Sequence, residues 1–288
     1  MNFASKSSIR FDFGENWDAF SRKALNRESV RQAKEDFQRL LDRIPLENRS
    51  FLDIGFGQGL SLLTAASGGA RCLGVDINAR CLQVLSQNGE TFFPDIPGEQ
   101  IGRLQGSILD PELIRKLQLD SRAKEGKFDI VHSWGVLHHT GSMFEAIRNS
   151  ASLVSDEGYL VLAIYQTHWS SGPWKCVKFL YNKSPAIGRR LLIRLFYPLI
   201  YFAKWVVTRE NPKNKNRGMD FYHDVIDWVG GYPYEYANRT EITDYLEELG
   251  FNLIRFFPPS VPTGCMEFVF RKRMTAPSLH RSQILRDL

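Results

Sequence analysis

Cysteine is scarce in this chain of 288 residues. Cys72, Cys81, Cys176 and Cys265 form no CxxC pair and have no histidine at zinc-ligand spacing, which excludes a disulfide framework and a structural zinc site. Ligand spacing is missing among the other histidines and acids as well, so no metal is expected. No apolar stretch of signal-peptide length follows Met1 to Lys6, and a cytoplasmic address is expected. Long hydrophobic runs are nearly absent: the one of any length, Leu191 to Val207, is interrupted by Arg194, Pro198 and Lys204 and is expected to fall short of the roughly 20 residues a spanning helix needs. What is present is a globular composition, 43% hydrophobic and 24% charged, which excludes a disordered chain and fits one large α/β domain or two small ones.

The first residues, to about Asn26, are rich in aromatics (Phe11, Phe13, Trp17, Phe20) but show no clear period. Val30, Ala33, Phe37, Leu40, Leu41 and Ile44 then recur at helical steps until Pro45, so residues 1–49 read as an N-terminal helical segment. From Ser50 short apolar runs alternate with helical ones. Strands are predicted over 51–54, 71–75, 101–105, 128–132 and 159–164, with helices near 58–67, 78–90, 110–119 and 142–154; this rhythm specifies a parallel sheet covered on both faces. It breaks over 167–231, which holds no credible strand and ends near a polar run, Asn211 to Arg217, and it resumes at Asn238. Asn238 and Glu241 make a capping box, Ile242, Tyr245, Leu246 and Leu249 a helical stripe, and 251–257 with 265–270 a closing antiparallel hairpin. The residues after Arg271 are expected to be a frayed tail.

Two features carry the chemistry. Asp53-Ile54-Gly55-Phe56-Gly57-Gln58-Gly59 stands where the first strand turns into its helix, and glycines there let the backbone approach a ligand at the unpaired amides of a helix N-terminus. Position 60 is leucine, where dinucleotide sites place a third glycine beside a pyrophosphate. Asp76 ends the second strand about 20 residues on, where an acid can hold both ribose hydroxyls. A ribonucleoside without a diphosphate is implied.

With Gly106-Ser107-Ile108-Leu109-Asp110 and the run Phe128 to His139, these segments resemble the class I S-adenosylmethionine-dependent methyltransferases, small-molecule type, and among them the ubiquinone-biosynthesis O-methyltransferase group. The resemblance covers about 50–165 and the hairpin. It implies an α/β, Rossmann-like seven-stranded sheet with the last strand antiparallel, here with a helical insertion between the fifth strand and the last helix, so that 50–288 forms the methyltransferase domain and 167–231 its lid. It also implies S-adenosylmethionine as cofactor. Asp53, Gly55, Phe56, Gly57 and Gly59 would border its methionine portion, Asp76 its ribose, and Ile77, Ser107 and Ile108 its adenine, with Ser133 and Trp134 completing the site. Ser107 departs from the acid many members carry there and could instead cap the following helix. Trp17 and Phe20 are candidates for closing over the cofactor or for core packing.

Methyl transfer from a sulfonium needs orientation above all, and a base only when the acceptor must lose a proton. Histidine suits that task, and His138, His139 and His223 are the candidates, with Tyr165 and His168 secondary on the same sheet edge. The stretch 222–235, dense in aromatics and polar groups, reads as a pocket floor or lid. The acceptor would be an oxygen, or a nitrogen, of a small or lipid-linked metabolite. A non-catalytic S-adenosylmethionine-binding module or assembly factor is the alternative; a nucleic-acid methyltransferase and a nicotinamide-dependent oxidoreductase are more distant.

The net charge of +5 is unevenly spread. Eleven basic residues face one acid between Thr167 and Arg217, a balance of +10 that leaves −5 for the rest. This asymmetry points to an anionic substrate or surface met by the insertion and away from nucleic acid. On a helical projection of 187–207, Arg189, Arg190, Arg194 and Lys204 share one arc with Tyr197 and Tyr201, while Leu191, Leu192, Leu195, Phe196, Leu199, Phe202, Ala203 and Val206 fill the other. Such a helix would pack its stripe over the domain or another subunit, or lie peripherally in the inner face of a membrane.

Overall fold

The computed structural model describes residues 9–212 and 220–274. The start of the chain, the basic end of the polar run at Lys213, Lys215 and Arg217, and the tail from 275 lie outside the described residues. Two helices, α1 (Phe13–Lys23) and α2 (Arg27–Leu41), precede an alternating series: β1 (Ser50–Ile54), α3 (Leu60–Ser67), β2 (Arg71–Asp76), α4 (Ala79–Phe92), β3 (Ile101–Gln105), α5 (Pro111–Leu119), β4 (Phe128–Trp134), α6 (Met143–Ser152) and β5 (Val154–Tyr165). Three helices follow, α7 (Ser171–Lys183), α8 (Ala186–Thr208) and α9 (Phe221–Gly230), and the chain closes with α10 (Arg239–Glu248), β6 (Phe251–Phe257) and β7 (Cys265–Lys272).

The seven strands form one sheet in the order β3-β2-β1-β4-β5-β7-β6, with β7 antiparallel to both neighbours. Every residue of β1 is buried, as a central parallel strand covered on both faces requires. On one face α5, α6 and α10 pack Leu113, Ile147 and Leu246 onto Leu52, Val75 and Leu162; on the other α2, α3 and α4 pack Phe37, Leu62 and Leu85 onto Phe51, Cys72 and Ile130. The Asn238 capping box forms as the spacing predicts.

Three expectations are corrected. The aromatic N-terminal stretch does have a helical period: Phe13, Trp17 and Phe20 recur at helical steps along α1, with Gly14 and Asn16 buried beside Phe20. Gly14 sits against Asn78, and Asn16 donates to the His223 carbonyl at 3.2 Å. The apolar run of 191–207 lies within a helix of 23 residues, which by length and composition is sufficient to cross a membrane. Its orientation also differs from a stripe packed inward. Ile193 and Ile200, with Tyr197 beside them, join Phe221, Val225 and Val229 of α9 in a separate apolar cluster, whereas Leu191, Leu195, Leu199 and Phe202 face outward.

Candidate active site

A cavity of about 550 Å³ opens at the carboxyl ends of the parallel strands, where doubly wound sheets bind ligands. One half is the glycine loop after β1. Gly55, Gly57 and Gly59 have φ of 75°, 54° and 82°, left-handed values that favour glycine. A Cβ on Gly57 would also come 2.9 Å from Trp17 Nε1, because α1 lies across the loop and Trp17 lines the cavity with Phe11 and Phe13. Gly55, Phe56 and Gly57 line the cavity; Gly59 turns the chain into α3 beneath Leu85.

Asp53 lines the cavity, is 2% exposed and accepts from His132 Nδ1 at 2.7 Å, while its buried Oδ2 has no hydrogen-bond partner among the described residues. Asp76 accepts from the Gly57 amide at 3.0 Å, from the Asn78 amide at 2.9 Å and from the Cys81 thiol, which still leaves acceptor capacity on the carboxylate. Burial pushes the Asp76 carboxyl up, and those two amides oppose the shift. Ile77, Ser107, Ile108 and Trp134 line the same half. Ser107 Oγ accepts from the Leu109 amide at 3.2 Å, and Asp110, not Ser107, caps α5. Ser133 does not line the cavity: it is fully buried and donates to the Ile54 carbonyl at 2.9 Å. Trp134 donates from Nε1 to Glu267 at 2.8 Å. Phe20 is fully buried against His223, a core position.

The other half lies beneath α7, α8 and α9. Tyr165, Trp174, Ile200, Lys204, Asp224, Asp227 and Trp228 line it, with Val261 to Cys265 from the β6–β7 turn. Of the three candidate histidines only His139 reaches it. The His139 Nδ1–H donates to the Pro233 carbonyl at 2.5 Å, which assigns the neutral tautomer with its lone pair on Nε2, and burial lowers its pKa to about 3. His138 lies behind, fully buried, with ring centroids 4.4 Å from His139 and 4.0 Å from Tyr165, and burial pulls it well below its ordinary value. His223 stands outside the cavity and donates from Nδ1 to Asp220 at 2.7 Å, at the start of α9. His168 also lies off the cavity, its Nδ1 2.8 Å from Ser170 Oγ. Burial holds the Tyr165 hydroxyl protonated, well above the usual phenol value.

The charges of the cavity reverse those of the insertion. Asp53, Asp76, Asp224 and Asp227 line it against Arg10 and Lys204, and Lys204 is ion-paired with Asp224 at 2.6 Å. Among the described residues Lys204 is the one cation of the insertion that lines the cavity. Among them no group of three His, Cys, Asp or Glu side chains gathers as a metal site would require.

The sequence offered no indication of the role of Lys178, the buried lysine of α7, whose Nζ donates to the Trp228 carbonyl between the rings of Trp228 and Tyr234, 4.5 and 4.7 Å away. Burial lowers its pKa to about 7. Between pH 7 and 10 the unfolded chain therefore binds the proton more fully than the folded one, and stability is expected to rise with pH there, by up to about 1.4 kcal/mol per unit. Urea unfolding at pH 7, 8 and 9 measures this slope, and Lys178→Met is expected to flatten it; an unchanged slope would place the lysine's titration elsewhere.

The fold and site now stand beside known proteins. A family model described as a methyltransferase domain matches residues 25–255. No curated protein matches the sequence. Among solved structures, an O-methyltransferase family protein from Burkholderia thailandensis superposes with TM-score 0.53 at 13% identity, over 91% of this chain and 60% of that one. This chain thus spans less than two thirds of that protein's length. Magnesium protoporphyrin IX methyltransferase from Synechocystis PCC 6803, with bound SAH, gives 0.54 at 16% identity, over 90% and 93%. PKMT2 of Rickettsia typhi gives 0.53 at 14%, over 87% and 55%. At these identities the structural likeness concerns the fold. The family model, by contrast, spans most of the sequence, from α2 through to β6, and on that ground the chain belongs to the methyltransferase-domain family.

Proposed function

We propose that the protein transfers a methyl group from S-adenosylmethionine to an oxygen, or a nitrogen, of a small molecule held beneath α7–α9. The observation that carries this reading is the continuity of one cavity from the glycine loop and Asp76 to His139, Tyr165 and Trp228. The residues fit the cofactor: the buried Asp53 Oδ2 suits its ammonium group, the spare lone pairs of Asp76 its ribose hydroxyls, and Ile77, Ser107 and Ile108 the edge of its adenine. When bound, S-adenosylmethionine supplies an electrophilic methyl carbon on a sulfonium.

The chain's own work is orientation and proton handling. Trp17 and Phe13 close the loop side and Trp174 and Trp228 the acceptor side, so that reacting groups meet away from bulk water. At pH 7 His139 is neutral and offers Nε2 as a hydrogen-bond acceptor to the O–H or N–H of the substrate. An imidazole this weakly basic still serves, because a hydroxyl becomes strongly acidic as its oxygen gains the methyl group. His138 acts by packing behind His139, and His223 by anchoring the start of α9. The carboxylates of the lining favour an uncharged or cationic acceptor, so the anionic character expected from the basic insertion is assigned to what its outer surface meets.

Incubation with S-adenosylmethionine and a panel of phenols, alcohols and amines tests the reading through release of S-adenosylhomocysteine. His139→Ala is expected to lower kcat roughly a hundredfold with cofactor affinity unchanged. Tight cofactor binding without turnover on any acceptor would favour the non-catalytic module instead. A lipid-linked acceptor is a second reading, favoured by one observation: α8 lines the acceptor half while exposing apolar side chains on its reverse.

A further inference from the structure

Helix α8 borders the cavity on one side and solvent on the other. Ile200, Ala203 and Lys204 face the cavity. On the opposite side Leu191, Leu195, Leu199 and Phe202 are 59%, 58%, 56% and 63% exposed, and with Ile187, Trp205 and Val206 they cover a continuous arc of about 120°. Several turns of contiguous large apolar side chains in water mark a contact surface.

Charge decides what covers it. Arg190 and Arg194, both exposed, follow one border of the arc, and the 23 residues of α8 contain no Asp or Glu. Pairing with a second copy of this helix would bring arginines together with no carboxylate on the helix to answer them. An anionic headgroup layer supplies that missing charge, and the acyl region beneath it takes the leucines and aromatics. The inner face argues against crossing the bilayer, since Ile193 and Ile200 are packed on α9 and Lys204 is tied to Asp224. We propose that α8 lies flat in the surface of an anionic lipid bilayer, apolar arc downward and Arg190 and Arg194 at the headgroups. This surface goes beyond the methyl-transfer reading and does not rest on it.

Cosedimentation of the full chain with phosphatidylcholine vesicles, with and without phosphatidylglycerol, is the test. The wild type is expected to bind the anionic vesicles roughly tenfold or more tightly than the neutral ones. Leu195→Glu with Phe202→Glu is expected to abolish pelleting, with circular dichroism and S-adenosylmethionine affinity unchanged. Arg190→Glu with Arg194→Glu, which leaves every apolar contact in place, is expected to remove the preference for phosphatidylglycerol. A wild type that stays in the supernatant with anionic vesicles overturns the proposal, as does pelleting unaffected by both double variants. Light scattering that finds a dimer split by Leu195→Glu, in a protein that ignores vesicles, assigns the face to a second copy instead.

Discussion

Replacing Asp76 with alanine is expected to weaken S-adenosylmethionine binding roughly a hundredfold. Two hydrogen bonds from ribose hydroxyls to a buried carboxylate are worth about 3 kcal/mol together, near the low end for charged acceptors. The side chain also holds the Gly57 and Asn78 amides, so its removal is expected to loosen the glycine loop on the proposed cofactor side of the cavity. Asp76→Asn separates the two contributions: it keeps one acceptor oxygen and is expected to fall between wild type and alanine. Isothermal calorimetry measures both. An alanine variant with wild-type affinity would remove Asp76 from the site and with it the assignment of this half of the cavity.

Acid is expected to unfold the protein more steeply than its carboxylates alone would require. Burial lowers His139 to about 3 and His138 well below its ordinary value. In the unfolded chain both recover a value near 6.5, so below that pH the unfolded state binds two protons that the folded state refuses. Stability is then lost as pH falls from 6.5 toward 3. Between pH 7 and pH 5 His139 by itself accounts for about 2 kcal/mol, a sizeable share of a typical domain's stability, and His138 acts in the same direction. Urea unfolding at pH 7, 6 and 5 is the measurement. His138→Gln with His139→Gln is expected to remove most of the slope, and a double variant that loses stability with acid as fast as wild type would show that other groups govern it.

How far the site could be read in advance depended on whether a residue's role is local. Gly55, Gly57 and Asp76 are set by a strand end and a helix start, and their spacing was visible. The two adjacent histidines could not be told apart, because only the packing of the 3-10 turn at Leu137–His139 turns one ring to the cavity and the other into the core. His223 was singled out within the polar and aromatic stretch 222–235; its carboxylate neighbour Asp220 is local, three residues back at the start of α9, but the cover of Phe20 becomes apparent only once α1 is laid across α9. Trp174, Lys178 and the turn at Val261–Cys265 carried no motif at all, since their closeness to the site comes from elements far apart in the chain.

By itself the sequence determined the alternating sheet, the glycine loop with its acid, and the charge asymmetry between the insertion and the rest. Periodicity, turn chemistry and charge are properties of neighbouring residues, and they survive without a partner in space. The tertiary structure alone decided which way that charge and the apolar residues face. Lys204 is turned inward to Asp224, the acceptor half is lined by carboxylates, and the leucines of α8 look outward, because Ile193, Tyr197 and Ile200 have the better-fitting partners on α9. A helical projection shows two faces; burying one of them is a choice made by the surface it meets.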